Sequence, residues 1–180
     1  MSKLQRTAPH EAAHSVAAYL VGIPLSKVEV WEGEGRVKWK YKPSGDPFAH
    51  AVTMLAAGQY MKMVGAPAND DTDFDGAAIL VAMQFDDRPK AVREAAGREA
   101  FGIVLEATRS MVESHRFRNL VAMLAPVLEK KGWNYGPDVI RFLKENDPDR
   151  DRQSDRPARN RSGDPYGVCS GAPCICGFHP

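Results

Sequence analysis

The segment His10-Glu11-Ala12-Ala13-His14 constrains this chain more than any other feature. It lies in a run of helix-forming residues from Ala8 to Val21. Residues four apart on an α-helix share one face, so both imidazoles can reach one Zn²⁺ ion at about 2.0–2.1 Å. Glu11 is rotated about 100° from His10 and lies beside the metal rather than on it. The motif therefore predicts a zinc site in which Glu11 takes a proton from water. A helix that carries these side chains without a metal is the alternative.

The chain must supply a third ligand, because a catalytic zinc usually takes three protein ligands and one water. Metzincins have a further histidine six residues after the second, but here that residue is Leu20. Thermolysin-like enzymes use a glutamate on a following helix, and residues 35–93 contain none. The remaining candidates are His50, the more distant Glu94 and Glu99, and an acidic cluster made of Asp70, Asp71, Asp73 and Asp75.

Hydrophobic periodicity predicts a mostly helical α+β domain with one small sheet near the motif. Two alternating runs, 26–31 and 36–41, are separated by a glycine-containing turn and predict a β-hairpin. The predicted helices span 8–21, 48–64, 74–85, 90–114, 117–131 and a last segment that ends near residue 144. Thr7 is the predicted N-cap of the first helix, and Gly132 is predicted to cap the end of the fifth.

Three single observations add detail. The strand 36–41 is expected to offer an edge with which an extended peptide can pair, although Lys38 and Lys40 are also typical of a protected edge. His50 is expected to be a polar residue of a first helical turn or a substrate contact. The tryptophans at positions 31, 39 and 133 are expected to be partly buried packing residues.

Charge and hydropathy limit the classes of partner. The 180 residues carry a formal net charge of +1, so no overall field favours nucleic acid or an anionic membrane. No apolar run reaches the length of about 20 residues that a transmembrane helix needs. The N-terminal residues lead into the motif without the apolar core of a signal peptide. We therefore expect a cytoplasmic protein without membrane insertion and without a nucleic-acid partner.

The composition changes after Glu145. Residues 146–163 lack large apolar side chains and are rich in Asp, Arg, Pro and Ser, so we expect disorder. The chain thus divides into a domain, 1–145, and a charged tail, 146–180. All three cysteines lie in the tail, which leaves the domain without a disulfide framework. Either a second, structural zinc site or a flexible thiol-rich end is expected from Cys169, Cys174, Cys176 and His179.

Several segments resemble the peptidase domain of FtsH, the AAA+ zinc protease. The motif helix, H-E-A-A-H-S-V-A-A-Y-L-V-G, is similar to the family's H-E-A-G-H-A-x-V-A-x-x-L-G stretch, and Leu55-Ala56-Ala57-Gly58 is similar to its second helix. Residues 68–74 resemble the family's segment that contributes an aspartate as the third zinc ligand. The resemblance favours Asp73, which is followed by Phe74, over Asp70. It extends over about residues 8–144.

This resemblance implies a helical zincin-like peptidase domain that hydrolyses peptide bonds in a polypeptide substrate. Zn²⁺ would be held by His10, His14 and Asp73, with Glu11 as the general base. The sequence departs from the family at Ala13, where glycine is usual, and in the residues after Gly58, and it shows no Walker motif. These departures spare the metal ligands but favour ATP-independent cleavage over processive proteolysis.

Two other functional classes remain open from the sequence. One is a non-catalytic regulatory or protein-binding module that retains the peptidase fold. The other is an interaction protein that works through its charged tail, residues 146–180. A zinc measurement combined with an unfolded-protein substrate separates these classes from a peptidase.

Overall fold

The computed structural model describes residues 3–31, 34–39, 46–66 and 71–150. Within these ranges the chain is mostly helical with a small antiparallel sheet, as the sequence predicted. The elements are α1 (Lys3–Val21), β1 (Leu25–Trp31), β2 (Glu34–Trp39), α2 (Pro47–Met63), α3 (Asp71–Ala82), a 3₁₀ turn (Met83–Phe85), α4 (Lys90–Glu113), α5 (His115–Lys131), β3 (Trp133–Tyr135) and α6 (Gly136–Asn146).

The motif helix α1 begins one turn earlier than predicted. Thr7 is not its N-cap, since the helix starts at Lys3 and includes Pro9 in its interior. The residues before Thr7 are strong helix formers, which explains why the helix extends past the expected start. At the other end, Gly22 adopts φ +81° and the Ile23 N–H donates to the Ala18 carbonyl at 2.8 Å. This glycine cap ends α1 and turns the chain into β1.

β1 is the central strand of the sheet, whose order is β2-β1-β3. The predicted hairpin is confirmed, because β1 and β2 pair antiparallel with Val28 opposite Val37. β3 also pairs antiparallel with β1 but was not predicted, since three residues are too few to show an alternating pattern. Val28 and Val30 are buried on the face towards the helices. Trp31 and Trp133 are 40% and 56% exposed, so both are more exposed than expected for packing residues.

The core has two connected regions. The first surrounds α1, whose buried small residues Ala12, Ala13 and Ala17 allow α2 and α5 to approach closely. The second lies between α2, α3 and α4 and contains Leu55 and Val81. His10 and His14 therefore lie on a helix that packs against both α2 and α5. The packing of α3 on α2 brings α3 close to α1.

The segment after α6 differs from the predicted disorder at its first residues. Asp147 is 7% exposed and accepts hydrogen bonds from the Tyr19 hydroxyl at 2.8 Å and from Arg116 Nε at 2.9 Å. Burial and these bonds keep this residue on the domain although its neighbours are polar. Residues 151–180, and with them the predicted tail metal ligands, lie outside the described residues. None of the helices in the described part combines the length and apolar character needed to cross a bilayer.

Candidate metal centre

His10, His14 and Asp73 lie together where α1 meets α3. Nε2 of His14 is 3.2 Å from Nε2 of His10 and 3.2 Å from Oδ2 of Asp73, and the third side of this triangle is 3.6 Å. Two ligand atoms on a tetrahedral zinc, with bonds of about 2.0–2.2 Å, are about 3.4 Å apart. The three atoms therefore lie close enough together to hold one metal ion, and histidine and carboxylate are among the ligands that zinc accepts.

The carbonyl of Thr53 on α2 fixes the orientation of His14. Nδ1 of His14 lies 2.8 Å from this oxygen, which can only accept a hydrogen bond. In the neutral ring Nδ1 therefore carries the proton, and the lone pair of Nε2 points towards His10 and Asp73. A backbone carbonyl that orients a histidine in this way is a common feature of metal sites.

Among the candidates whose side chains the structure describes, which do not include Asp71, only Asp73 is brought to the two histidines. Asp75 is exposed on α3, and Glu94 is exposed on α4 beside Lys90. His50 is buried elsewhere, with Nδ1 3.0 Å from the Asp46 carbonyl oxygen. The runner-up at position 70 lies outside the described ranges.

The side chains of the centre strongly affect one another's pKa values. Burial lowers the pKa of His14, but the hydrogen bond and charge of Asp73, the charge of Glu11 and the Thr53 carbonyl outweigh it and raise this pKa to about 8. Burial raises the pKa of Asp73, but hydrogen bonds and charges from the two imidazoles hold it well below its usual range. In the metal-free protein Asp73 is therefore ionised at neutral pH, and His14 carries a proton that a metal must displace.

Glu11 is buried between α1 and the backbone of β2. A Cβ atom at Gly35 would lie 2.5 Å from both Cγ and Oε1 of Glu11, so only glycine allows the strand to pass this close. Burial raises the pKa of Glu11, although the charges of His14 and His10 lower it. A buried carboxyl with a raised pKa, next to a possible metal, is suited to accept and release a proton.

Two surfaces adjoin the centre. Trp39, the last residue of β2, lies edge-to-face to the rings of His14 and His50. Its ring centroid is 6.3 Å from that of His14 and 6.4 Å from that of His50. On the other side a depression opens between α2 and α3 and includes Asp73 in its wall. Its other lining residues are Met54, Leu55, Gly58, Gln59, Lys62 and Phe74.

The sequence did not identify three of the groups that shape this centre. Thr53 acts through its backbone carbonyl, which leaves no side-chain pattern to read. Gly35 belongs to a Gly-Glu-Gly segment that predicts only a turn. Trp39 is partly buried, as expected for a packing residue. The sequence did not indicate that its packing partner is His14.

Comparison with known family models and with curated proteins gives no match to this sequence. Membership of the FtsH-type peptidases therefore stays a prediction from the motif residues.

Proposed function

We propose that this chain is a zinc metallopeptidase that hydrolyses peptide bonds in polypeptides. The observation that carries the proposal is the triangle formed by His10, His14 and Asp73, with the buried carboxyl of Glu11 beside it. We also propose that the domain is a zincin-like peptidase domain of the FtsH type, on the strength of the motifs alone.

The residues of the centre would divide the hydrolysis between them. Zinc held by His10, His14 and Asp73 would lower the pKa of a water towards about 7 and polarise the scissile carbonyl. Glu11 would accept a proton from this water as the water oxygen attacks the carbonyl carbon. Glu11 then delivers the proton to the amide nitrogen as the C–N bond breaks. The Thr53 carbonyl keeps His14 in the orientation that the ligand role needs.

An extended polypeptide is the substrate form that suits the surroundings of the centre. β2 is an edge strand of the described sheet, and it runs from Gly35 above Glu11 to Trp39 beside His14. A peptide that added to this edge would be held by main-chain hydrogen bonds next to the reacting groups. Hydrolysis of an amide needs no nucleotide, so we propose that unfolded segments are cleaved without ATP.

The test is cleavage of an unfolded protein, such as reduced casein, by the purified zinc-loaded chain without ATP. We expect cleavage by the wild type, and a loss of about 10²–10⁴-fold in Glu11→Gln with unchanged zinc content. Glu113→Gln, which alters an exposed glutamate at the end of α4, is the matched control and should retain activity. Undiminished cleavage by Glu11→Gln would rule out the proposed role of this residue. Zinc binding without cleavage by the wild type would favour the non-catalytic module.

A further inference from the structure

We propose that Arg36 and Lys38 on β2 select polypeptide segments that carry acidic side chains at alternate positions. The inference rests on the proposed peptidase function, because it names the class of polypeptide that is held beside the centre. It takes the substrate to be an extended strand that adds to the edge of β2 facing away from β1. The directions and charges of the side chains on β2 carry the inference.

The residues of β2 alternate between two faces of the sheet. Half-buried residues lie on the face towards α1, where Gly35 passes close to Glu11. The exposed residues on the opposite face are all charged, namely Glu34, Arg36 and Lys38. A peptide strand on this edge would follow the same alternation, so every second side chain would lie beside the charged residues. Directly opposed residues on paired strands have Cβ atoms about 4.5–5.5 Å apart, which brings a carboxylate within reach of Arg36 or Lys38.

Three cationic side chains surround the Glu29 carboxylate on this exposed face. Lys38 lies directly opposite Lys27 of β1, and Arg36 lies directly opposite Glu29. Nζ of Lys27 is 2.8 Å from Oε1 of Glu29. The hydrogen bond from Lys27 and the charges of all three cations lower the pKa of Glu29, although desolvation opposes this shift. Like charges opposite each other destabilise a sheet, so a carboxylate on the far side of Lys38 would offset its repulsion by Lys27.

The other end of β2 has the opposite charge. Glu34 lies opposite Trp31, and its Oε2 atom accepts a hydrogen bond from Trp31 Nε1 at 3.2 Å. A substrate carboxylate beside Glu34 would meet a like charge. The favourable positions are therefore those beside Arg36 and Lys38, and two substrate acids that occupy both must be two residues apart.

Cations on an edge strand often protect a sheet against pairing with other chains. That protection depends on the incoming strand. Arg36 and Lys38 repel a cationic strand, but they attract a strand that presents carboxylates on the same face. The edge of β2 is therefore selective for acidic segments rather than closed to all of them.

Two peptides of identical composition test the inference. In one peptide two glutamates are two positions apart and share a face of the extended chain, and in the other they are adjacent and face opposite sides. Because the net charge is the same, general electrostatic attraction cancels. Dissociation constants are measured by fluorescence anisotropy on zinc-loaded Glu11→Gln protein, and kcat/KM is measured on the wild type. We expect the alternating peptide to be preferred about two- to fivefold at low salt, and less at high salt.

Variants assign the preference to the cations of β2. In Lys38→Gln only Arg36 can pair, so both peptides make one ion pair and the preference should disappear. Lys90→Gln, at the exposed start of α4, is the matched control and should keep the preference. Both substituted residues are exposed, so neither change should unfold the domain. A preference that survives in Lys38→Gln would overturn the inference.

The remaining outcomes separate this selection from the peptidase activity. If the wild type cleaves both peptides equally and binding is equal, the selection is contradicted while the proposed function stands. If neither the peptides nor casein are cleaved but the Lys38-dependent binding preference is present, the proposed function fails and the acidic selection is supported. If there is neither cleavage nor a binding preference, both proposals are contradicted.

Discussion

Gly35 of β2 lies so close to Glu11 of α1 that a Cβ atom at residue 35 would be 2.5 Å from the Oε1 atom of the glutamate. The strand backbone thus forms one wall of the Glu11 site and limits the positions that the carboxyl can take. The preference for glycine here arises from a close approach across two elements, since Gly35 is not among the glycines with positive φ.

We predict that Gly35→Ala lowers peptide cleavage by about 10²-fold while zinc content is unchanged. The added methyl must displace either Glu11 or β2, and both changes impair proton transfer. Gly102→Ala is the matched control, because a Cβ at that helical site meets nothing within 4 Å. It should leave activity unchanged. Full activity in Gly35→Ala would show that the close approach does not constrain Glu11.

Asp73 and Asp75 provide a paired test of the third ligand. Asp73→Asn removes the charged donor from the triangle, so we expect zinc affinity to fall by about 100-fold or more. Asp75→Asn changes an exposed carboxylate two residues away and should leave the affinity unchanged. Chelator competition measures both. Equal affinities in the two variants would contradict the role given to Asp73.

The raised pKa of His14 predicts a pH dependence of zinc binding. The pKa rises from 6.5 to about 8 in the metal-free protein, so the stability gained from protonated His14 is fully present below pH 6.5 and is lost as pH rises through about 8. Zinc must displace this proton, and its apparent affinity should rise about tenfold per pH unit between these values and level off above. Titration calorimetry in buffers of different ionisation enthalpy detects the released proton. A pH-independent affinity across this range would contradict the prediction.

Asp147 should stabilise the domain through its contacts with Arg116 and Tyr19. Breaking a buried, hydrogen-bonded ion pair is costly, so we expect Asp147→Asn to lower the free energy of unfolding by about 2–4 kcal/mol. Asp138→Asn, which breaks the exposed pair with Arg141, is the control and should cost less than about 1 kcal/mol. Denaturant unfolding measures both. Similar losses in the two variants would refute a special role for Asp147.

The same carboxyl predicts how stability changes in acid. Burial raises the pKa of Asp147, but the hydrogen bonds from Arg116 and Tyr19 outweigh burial and lower it. Because this pKa is lower in the folded state, the ionised Asp147 carboxylate stabilises the fold at pH values above the usual carboxyl pKa. This stability is lost as the pH falls below that pKa. The wild type should therefore lose more stability than Asp147→Asn when the pH is lowered through this range.

The sequence predicted the parts of the site that depend on local spacing. His10 and His14 are four residues apart, and a helix alone brings their side chains to one face. The choice between Asp73 and its acidic neighbours could not be made from spacing, because it depends on how α3 packs on α2. The same applies to the Thr53 carbonyl, which reaches His14 across two helices.

The fold shows a similar division between local and tertiary causes. The hairpin was predicted because alternating residues and a glycine-rich turn are local signals. β3 forms by pairing with the side of β1 that β2 does not occupy. A three-residue segment is too short to show this pairing in its own sequence pattern. The charged segment that contains Asp147 is predicted to be disordered from its composition. Asp147 is nevertheless hydrogen-bonded to Arg116 and Tyr19, which are distant in sequence.

Zinc-edge anomalous diffraction from crystals of the zinc-loaded protein is the most direct test of the candidate centre. We predict one peak at about 2.0–2.2 Å from Nε2 of His10, Nε2 of His14 and Oδ2 of Asp73, with Glu11 beside the ion but not bound to it. A peak on other carboxylates, or no peak at these three atoms, would contradict the account.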